Sequence, residues 1–287
     1  MPVTPLDLLW LEITGLCQLR CDHCYADSGP HGTHGSLSAA DWTHILDQGR
    51  DLDVSLVQFI GGEPTLHPAL PQLVTHALDL GLEVEVYTNL VRVTDELWRI
   101  FRRGGVRLAT SYYSTVAAEH DAFTGRRSHA RTQANIERAL RLGIPLRAGI
   151  IVRDAGADTG AAAKAQLEAL GVTSVGIDRI RGVGRGRGEA VPGIDELCGA
   201  CAAGKLAISA TGAVWPCVFS RWLPVGDIRG DSLAAINRAA DAVRGELATA
   251  FAQRRPVQKP KCPPDGDGDP CRPPCDPHYQ CPPFKPL

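Results

Sequence analysis

Residues 8–25 read LLWLEITGLCQLRCDHCY, an apolar run followed directly by three cysteines. The run Leu8–Thr14 has the length and composition of a buried strand. Cys17, Cys21 and Cys24 lie in the segment that comes next. In a parallel α/β sheet, active-site residues collect in the loops after the carboxyl ends of the strands. The stretch therefore predicts a strand that presents three thiols at the active edge of a sheet.

The alternation of apolar runs and amphipathic segments continues to about residue 180. The predicted strands are Leu8–Thr14, Leu56–Ile60, Glu83–Thr88, Arg107–Ser111, Arg147–Val152 and Ser174–Asp178, and the predicted helices between them are Ser38–Gln48, Ala69–Leu80, Asp95–Arg102, Ala130–Leu142 and Gly160–Leu170. Ser38 and Thr94 are expected to cap helices, and Gly81, Gly104, Gly143 and Gly171 to follow helix ends. Six such units predict an α/β fold with a parallel sheet, either open and doubly wound or a partial barrel.

A second motif follows the second predicted strand. Residues 57–68 read VQFIGGEPTLHP, which places Gly61, Gly62, Glu63 and Pro64 at the same edge of the sheet as the cysteines. Two glycines allow the backbone to approach a ligand closely, and a carboxylate beside them can take an ammonium group.

Three cysteines on one short loop suit an iron–sulfur cluster. Three thiolates can hold three irons of a [4Fe–4S] cluster and leave the fourth iron without a protein ligand. An open metal position is typical of catalytic rather than structural sites. The residues by themselves also allow a zinc site with His23 as the fourth ligand, or three unrelated thiols.

With both motifs on neighbouring loops, the sequence from Leu8 to about Asp178 resembles the radical S-adenosylmethionine (SAM) enzymes. The resemblance implies a partial (β/α)6 TIM-type barrel. It also implies that Cys17, Cys21 and Cys24 hold the [4Fe–4S] cluster that binds and cleaves SAM. The SAM contacts that it implies are the ammonium site at Gly61, Gly62, Glu63 and Pro64, and Tyr25 near the adenine.

Later strands also end in polar residues. Thr88 and Asn89 follow the third strand, and Ser111 ends the fourth. In the family such positions often meet the ribose or carboxylate of SAM, whereas the alternative is that they are ordinary strand-end caps. Tyr112 and Tyr113 are expected to diverge, one toward the substrate pocket and one into the helical layer.

Composition limits the class of protein. The 287 residues are 44% hydrophobic with a net charge of −2, which gives no basic field for nucleic acid. Neither a membrane span nor a signal peptide is apparent, so a cytoplasmic location is expected. In a reducing compartment, ten cysteines favour metal ligation over disulfides.

The texture of the sequence changes after residue 180, and we predict a barrel domain over 1–180, a linker over 181–194 and a cysteine-rich domain over 195–287. The last of these starts with a predicted hairpin, Lys205–Ser209 and Val214–Val218, and a helix over Ser232–Gln253. Its cysteine spacing resembles the SPASM extensions of some radical SAM enzymes. The resemblance implies two auxiliary [4Fe–4S] clusters, one held by Cys198, Cys201, Cys217 and Cys275, the other by Cys262, Cys271, Cys281 and Asp265. Asp265 could instead be a turn residue, and the whole set zinc sites or disulfides.

The resemblance implies an enzyme that oxidises or crosslinks a ribosomally made peptide, with the auxiliary clusters as a route for the departing electron. Its expected partners are the peptide, a separate leader-binding protein and an electron donor such as flavodoxin or ferredoxin. A dehydrogenase or epimerase of a small aminoglycoside-type metabolite is the alternative enzyme. A third hypothesis is a non-catalytic iron–sulfur or zinc protein, which would have no need of an ammonium site.

Overall fold

The fold is given by a computed structural model that describes residues 4–153, 158–199 and 204–253. Nine strands and seven α-helices are present in these residues. The strands are β1 (Leu8–Thr14), β2 (Leu56–Gly61), β3 (Glu83–Tyr87), β4 (Val106–Tyr112), β5 (Leu146–Val152), β6 (Ser174–Arg179), β7 (Lys205–Ile208), β8 (Ala213–Trp215) and β9 (Gly226–Asp227). The helices are α1 (Ala39–Asp51), α2 (Leu70–Asp79), α3 (Asp95–Phe101), α4 (Ala117–Thr124), α5 (His129–Arg141), α6 (Asp158–Ala169) and α7 (Leu233–Gln253).

All nine strands belong to one sheet, in the order β6-β5-β4-β3-β2-β1-β7-β8-β9. Strands β1 to β7 run parallel to one another, and β8 and β9 add antiparallel pairs at the β7 edge. The α/β class and the parallel order of the first six strands are therefore confirmed. The predicted hairpin is also confirmed, and its first strand pairs with β1 from Leu8↔Lys205 to Leu11↔Ile208. The sheet thus runs without a break from the predicted barrel region into the region after residue 203.

The two faces of the sheet have different chemistry. Leu9, Leu11 and Ile13 of β1 are fully buried in the main core, which they share with apolar residues of α1, α2, α3 and α5. Because side chains alternate along a strand, the residues between them point to the opposite face. On β1 the residues of that face include Glu12, whose side chain is only 5% exposed. The helices therefore cover an apolar face, and charge is placed on the other.

A buried ion network occupies part of this second face. Arg147 holds Glu85 through two bonds, Nη2 to Oε1 at 2.7 Å and Nε to Oε2 at 2.9 Å. Arg107 adds a third bond to Oε2 at 3.2 Å, and Gln58 donates to Oε1. Burial on its own raises the pKa of Glu85, but Arg147 and Arg107 outweigh it and hold the pKa below its usual value. The network ties β2, β3, β4 and β5 together.

Several local predictions were right and two need correction. Ser38 forms a capping box with Asp41, and Thr94 caps α3. Helix α3 ends at Phe101 with Arg102 as its C-cap, so Gly104 does not follow the helix end directly, and the left-handed glycine of the turn into β4 is Gly105, with φ of 85°. Helix α4 was not predicted, because its sequence AAEHDAFT buries only His120 and Thr124 and so lacks an apolar stripe.

Replacement of Glu85 should cost more stability than replacement of Glu83, the exposed carboxylate that also pairs with Arg107. Glu85→Gln leaves two buried guanidinium groups without their carboxylate, and we expect the free energy of unfolding to fall by about 3–5 kcal/mol. Glu83→Gln is the matched control, because Glu83 also pairs with Arg107 but its side chain is 53% exposed; the expected loss is below about 1 kcal/mol. Urea denaturation of the metal-free protein measures both. Equal losses would contradict the structural role given to Glu85.

Candidate active site

The three-cysteine loop is anchored at both ends by backbone bonds. After β1, Leu16 N–H donates to Thr14 Oγ1 at 2.9 Å, and Cys17 N–H donates to Gly29 O at 3.0 Å. Further along, Arg20 N–H donates to Thr124 O at the end of α4 at 2.9 Å. The loop is therefore held against both the sheet and α4, at the carboxyl edge where the sequence placed it.

The residues present suit a thiolate-bound cluster. The Cys17 sulfur accepts the backbone N–H of Leu19 at 3.4 Å and faces the Asn89 amide nitrogen at 3.7 Å, so two N–H donors are directed at it. Burial raises the pKa of Cys17 and of Cys21 to about 12. Buried thiols of this kind are deprotonated when a metal supplies the positive charge. Cys17, Cys21 and Cys24 would hold the cluster, and its binding remains a prediction.

A zinc site in this loop would need His23 as its fourth ligand. The His23 ring contacts the rings of Tyr113 and Phe123, and its Nδ1 pairs with Asp22 at 3.1 Å. Across residues 4–153, 158–199 and 204–253, no three His, Cys, Asp or Glu side chains converge as the ligands of one metal ion. A four-iron cluster does not require that arrangement, because each cysteine binds its own iron.

Glu63 is the most enclosed polar residue of the site. It has no exposed surface, and its carboxylate accepts bonds from Thr65 N, Thr65 Oγ1, Thr88 Oγ1 and Asn89 N at 2.6–3.1 Å. Burial raises the pKa of Glu63, although these four donors favour the charged form. The carboxylate therefore joins the loops after β2 and β3. Its contact with the ammonium group of SAM remains a prediction.

The two glycines before Glu63 allow the chain to pass very close to the cysteine loop. A Cβ on Gly62 would lie 2.3 Å from Leu16 O, and one on Gly61 would lie 2.4 Å from Thr14 O. Gly62 N–H donates to Thr14 O at 2.6 Å, and Glu63 N–H to Leu16 O at 2.8 Å. The two glycines thus let β2 pack against β1 and its loop, and their approach to a ligand remains a prediction. Pro64 follows as the first residue of a short 3₁₀ turn.

Tyr25 points toward the region after residue 203. Its ring packs edge-on against Phe219, with 5.3 Å between centroids, and its hydroxyl is buried without a hydrogen-bond partner among the described residues. Burial, with the charge of Glu12 added, raises the pKa of Tyr25 well above its ordinary value. Whether this ring also meets adenine stays a prediction.

An ion pair that the sequence did not predict lies beside Tyr25. Arg221, in the segment after β8, donates Nη1 to both oxygens of Glu12 at 2.7 and 2.9 Å and lies over the ring of Trp215. Burial raises the pKa of Glu12 despite Arg221. Glu12 is the one charged residue in the apolar run of β1, and this position was a sign in the sequence that it has a buried partner. Nothing in the sequence marked Arg221 as its partner.

The other strand-end residues divide between two faces. Tyr112 is fully buried in the main core, whereas Tyr113 lies against Cys21, and both rings also contact His120 of α4. Ser111 Oγ bonds the Tyr87 hydroxyl at 3.1 Å, and Thr88 is held by Glu63. Thr88, Asn89 and Ser111 therefore have protein partners here, and their contacts with SAM remain predictions.

The segment predicted as a linker packs directly on the cysteine loop. Arg185 N–H donates to Cys24 O at 2.9 Å, and its Nε donates to Cys21 O at 2.8 Å. Arg185 also holds Ser28 O and Asp27. Arg179 and Arg181 bond instead to Glu196, Asp178 and nearby carbonyls. Arg185 therefore supports the backbone of the cysteine loop.

Two of the later cysteines can be located. Cys217 belongs to a small apolar cluster against which Cys198 and Tyr25 pack. Two of the predicted auxiliary-cluster ligands thus share an apolar cluster with Tyr25, the residue that follows Cys24. Cys201, Cys262, Asp265, Cys271, Cys275 and Cys281 lie outside the described residues, so the two ligand sets remain predictions.

Comparison with known proteins gives a family match and several relatives. The family model described as the radical SAM superfamily matches residues 11–153. The PqqA peptide cyclase of Streptomyces rochei is 33% identical over 143 residues, which cover 50% of this chain and 39% of that protein. The mycofactocin maturase MftC of Mycobacterium tuberculosis H37Rv is 33% identical over 138 residues, covering 48% and 33%. The AdoMet-dependent heme synthase of Methanosarcina barkeri is 32% identical over 139 residues, covering 48% and 40%.

Among solved structures, SuiB of Streptococcus suis bound to the precursor peptide SuiA has the same fold. Its TM-score is 0.71 at 14% identity, and the match covers 86% of this chain and 68% of that one. The sequence matches, by contrast, span only about two fifths or less of the curated relatives' length. No helix in the described part of the chain is both long and apolar enough to cross a membrane.

The close approach of Gly62 to the cysteine loop can be tested directly. Gly62→Ala places a methyl group 2.3 Å from Leu16 O, and we expect a loss of about 1–3 kcal/mol in unfolding free energy, because backbone must move. Gly104→Ala is the control, since a Cβ there meets nothing within 4 Å; we expect a change within about 0.5 kcal/mol. Similar values for the two variants would contradict the packing described for Gly62.

Loss of Arg221 should make stability depend on pH. Arg221→Met leaves the Glu12 carboxylate buried without its cation, at a cost of about 3–5 kcal/mol near pH 8. The pKa of Glu12 then rises further above its unfolded value, so the carboxyl contributes stability below the unfolded pKa and loses it as pH rises through the folded pKa. The penalty should therefore shrink from about pH 8 to about pH 5, as measured by urea unfolding.

Arg229→Met is the control, because Arg229 pairs with Asp227 on the surface and its side chain is 58% exposed. It should leave the profile unchanged. A penalty in Arg221→Met that stays constant over the same range would show that Glu12 is not the group responsible.

Proposed function

Residues 11–153 form a domain of the radical SAM superfamily, and from this premise we propose that the protein cleaves SAM and uses the radical to oxidise or crosslink a ribosomally made peptide. The observation that carries the proposal is the joining of three loops: the cysteine loop, the Gly61–Glu63 segment and the Thr88–Asn89 turn. Glu63 and the backbone of Gly62 hold these loops together through bonds of 2.6–3.1 Å.

Cys17, Cys21 and Cys24 would hold the first cluster, which when bound would supply the electron for reductive cleavage of SAM. The chain itself provides position and exclusion of water. Glu63 and Asn89 fix the geometry of the loops, and Tyr25, which follows Cys24, packs against Phe219.

Small residues lie on part of the sheet face opposite the helices, where we propose that the substrate binds. The residues that β4, β5 and β6 direct to that face include Ala109, Ser111, Gly149 and Gly176, all of them small. A Cβ on Gly176 would meet nothing within 4 Å. Glu12, Tyr87 and Arg147 border the same face with polar groups, which suits a substrate with both apolar and polar parts.

A peptide substrate is supported by the relatives. Two of them are named for peptide substrates or maturation, and SuiB was solved with its precursor peptide. We propose the same substrate class here, with a separate leader-binding protein and a flavodoxin or ferredoxin as electron donor. Two auxiliary clusters, with Cys198 and Cys217 among their ligands, would accept the electron that a net oxidation releases.

The second candidate is a radical SAM dehydrogenase or epimerase of a small molecule. The similarity to an AdoMet-dependent heme synthase, at 32% identity, supports this candidate, because that name does not indicate a peptide substrate. A non-catalytic iron–sulfur or zinc protein is the third hypothesis. It differs from both enzymes in that it would not cleave SAM.

Iron content and SAM cleavage test the proposal together. The protein is purified and reconstituted without oxygen beside a Cys17/Cys21/Cys24→Ala variant. We expect about 12 irons per chain in the parent and about 8 in the variant, as three four-iron clusters require. With dithionite, the parent should form 5′-deoxyadenosine and the variant none. About 4 irons in the parent and none in the variant would contradict the auxiliary clusters.

The substrate class is then separated by mass spectrometry. Candidate precursor peptides and small aminoglycosides are incubated in parallel with the reduced enzyme and SAM. A mass loss of about two hydrogens in a peptide supports oxidative maturation. A mass change only in the small molecule supports the alternative, and loaded clusters without any deoxyadenosine contradict both.

A further inference from the structure

Asn89 links three loops of the candidate site. Its backbone N–H donates to Glu63 Oε2 at 2.8 Å, and its carbonyl accepts the Thr132 hydroxyl of α5 at 2.9 Å. The backbone of Asn89 is therefore held on both sides, independently of its side chain. The sequence identified Asn89 only as a candidate SAM contact or a strand-end cap.

The side chain has a defined orientation. Val91 N–H donates to Asn89 Oδ1 at 2.9 Å, and Gln18 Nε2 donates to the same oxygen at 3.0 Å. A backbone N–H can only donate, so the atom facing Val91 must be the oxygen. The amide nitrogen then faces Cys17 Sγ at 3.7 Å and Gln18 Oε1 at 3.3 Å. Asn89 thus directs N–H groups at the first cysteine.

The next residue holds this turn in an unfavourable backbone conformation. Leu90 has φ of 57° and is fully buried, although left-handed backbone is rare for a residue with a branched side chain. Asn135 of α5 donates to Leu90 O at 2.6 Å, and Leu90 N–H donates to Thr88 Oγ1 at 3.1 Å. The surrounding structure therefore enforces the turn that sets the direction of the Asn89 amide.

We propose that Asn89 is a positioning residue for Cys17. Its side-chain amide N–H, together with the backbone N–H of Leu19, sets the reduction potential of the cluster that Cys17 holds. Donors to a ligand sulfur stabilise its negative charge, and the reduced cluster carries more of that charge. Loss of the donor therefore lowers the potential. This inference rests on the proposed function in one respect, that Cys17 binds the cluster.

The test compares three variants of the reconstituted protein with the parent. Asn89→Asp keeps the shape and an acceptor for Val91 but removes the donor, and Asn89→Ala removes the donor without adding charge. Asn135→Asp is the matched control: it makes the same change in a residue that holds the same turn but does not face the sulfur. The midpoint potential of the cluster is measured without SAM by a redox titration followed by electron paramagnetic resonance. The affinity for SAM is measured separately by equilibrium binding.

We expect both Asn89 variants to have a lower midpoint potential than the parent, with Asn89→Asp lower than Asn89→Ala. Asn135→Asp should keep the parent's potential. An unchanged potential in both Asn89 variants, or an equal shift in Asn135→Asp, overturns the inference while the proposed function stands. Loss of SAM affinity without a shift in potential would make Asn89 a SAM ligand instead. Failure of the parent itself to bind a cluster overturns the proposed function, and this inference with it.

Discussion

The burial of one carboxylate, that of Glu63, is the constraint on which the rest of the site depends. A carboxylate with no exposed surface is costly unless donors surround it, and here four donors from Thr65, Thr88 and Asn89 do so. Because these donors belong to the loops after β2 and β3, the two loops cannot separate without leaving a charge unpaired. The same segment bonds the cysteine loop through Gly62 N–H and Glu63 N–H. One buried charge thereby fixes three loops relative to each other.

A second buried carboxylate joins the two parts of the chain. Glu12 on β1 pairs with Arg221, which lies more than 200 positions away in the sequence, and β7 pairs with β1 alongside. The pair lies beside Tyr25, whose ring contacts Phe219, and Cys198 and Cys217 pack in the same apolar cluster. The segment over 181–194 adds Arg185, which donates to the carbonyls of Cys21 and Cys24. The cysteine loop is thus supported on one side by β2 and β3 and on the other by the later part of the chain.

Much of the fold was predictable because its signals are local. Strand runs such as Leu56–Gly61 are mostly apolar, and Ser38 and Thr94 precede helices as capping residues. The order of the strands was left open between a doubly wound sheet and a partial barrel, and the structure decided it. Helix α4 escaped because its few buried residues, His120 and Thr124, form no apolar stripe. Gly104 was predicted where the left-handed residue is Gly105, because two adjacent glycines are equally permissive and only the backbone path decides between them.

The sequence by itself determined the class of fold, the position of the three cysteines after β1, and the Gly-Gly-Glu segment after β2. These depend on spacing along the chain, which is visible without a structure. Only the tertiary structure decided what the residues contact. It used the glycines to bring β2 against the cysteine loop, enclosed Glu63 among protein donors, turned Asn89 toward Cys17 and paired Glu12 with Arg221. The physical reason is that a buried polar group must find a partner wherever the fold supplies one, and that partner can lie at any distance along the sequence.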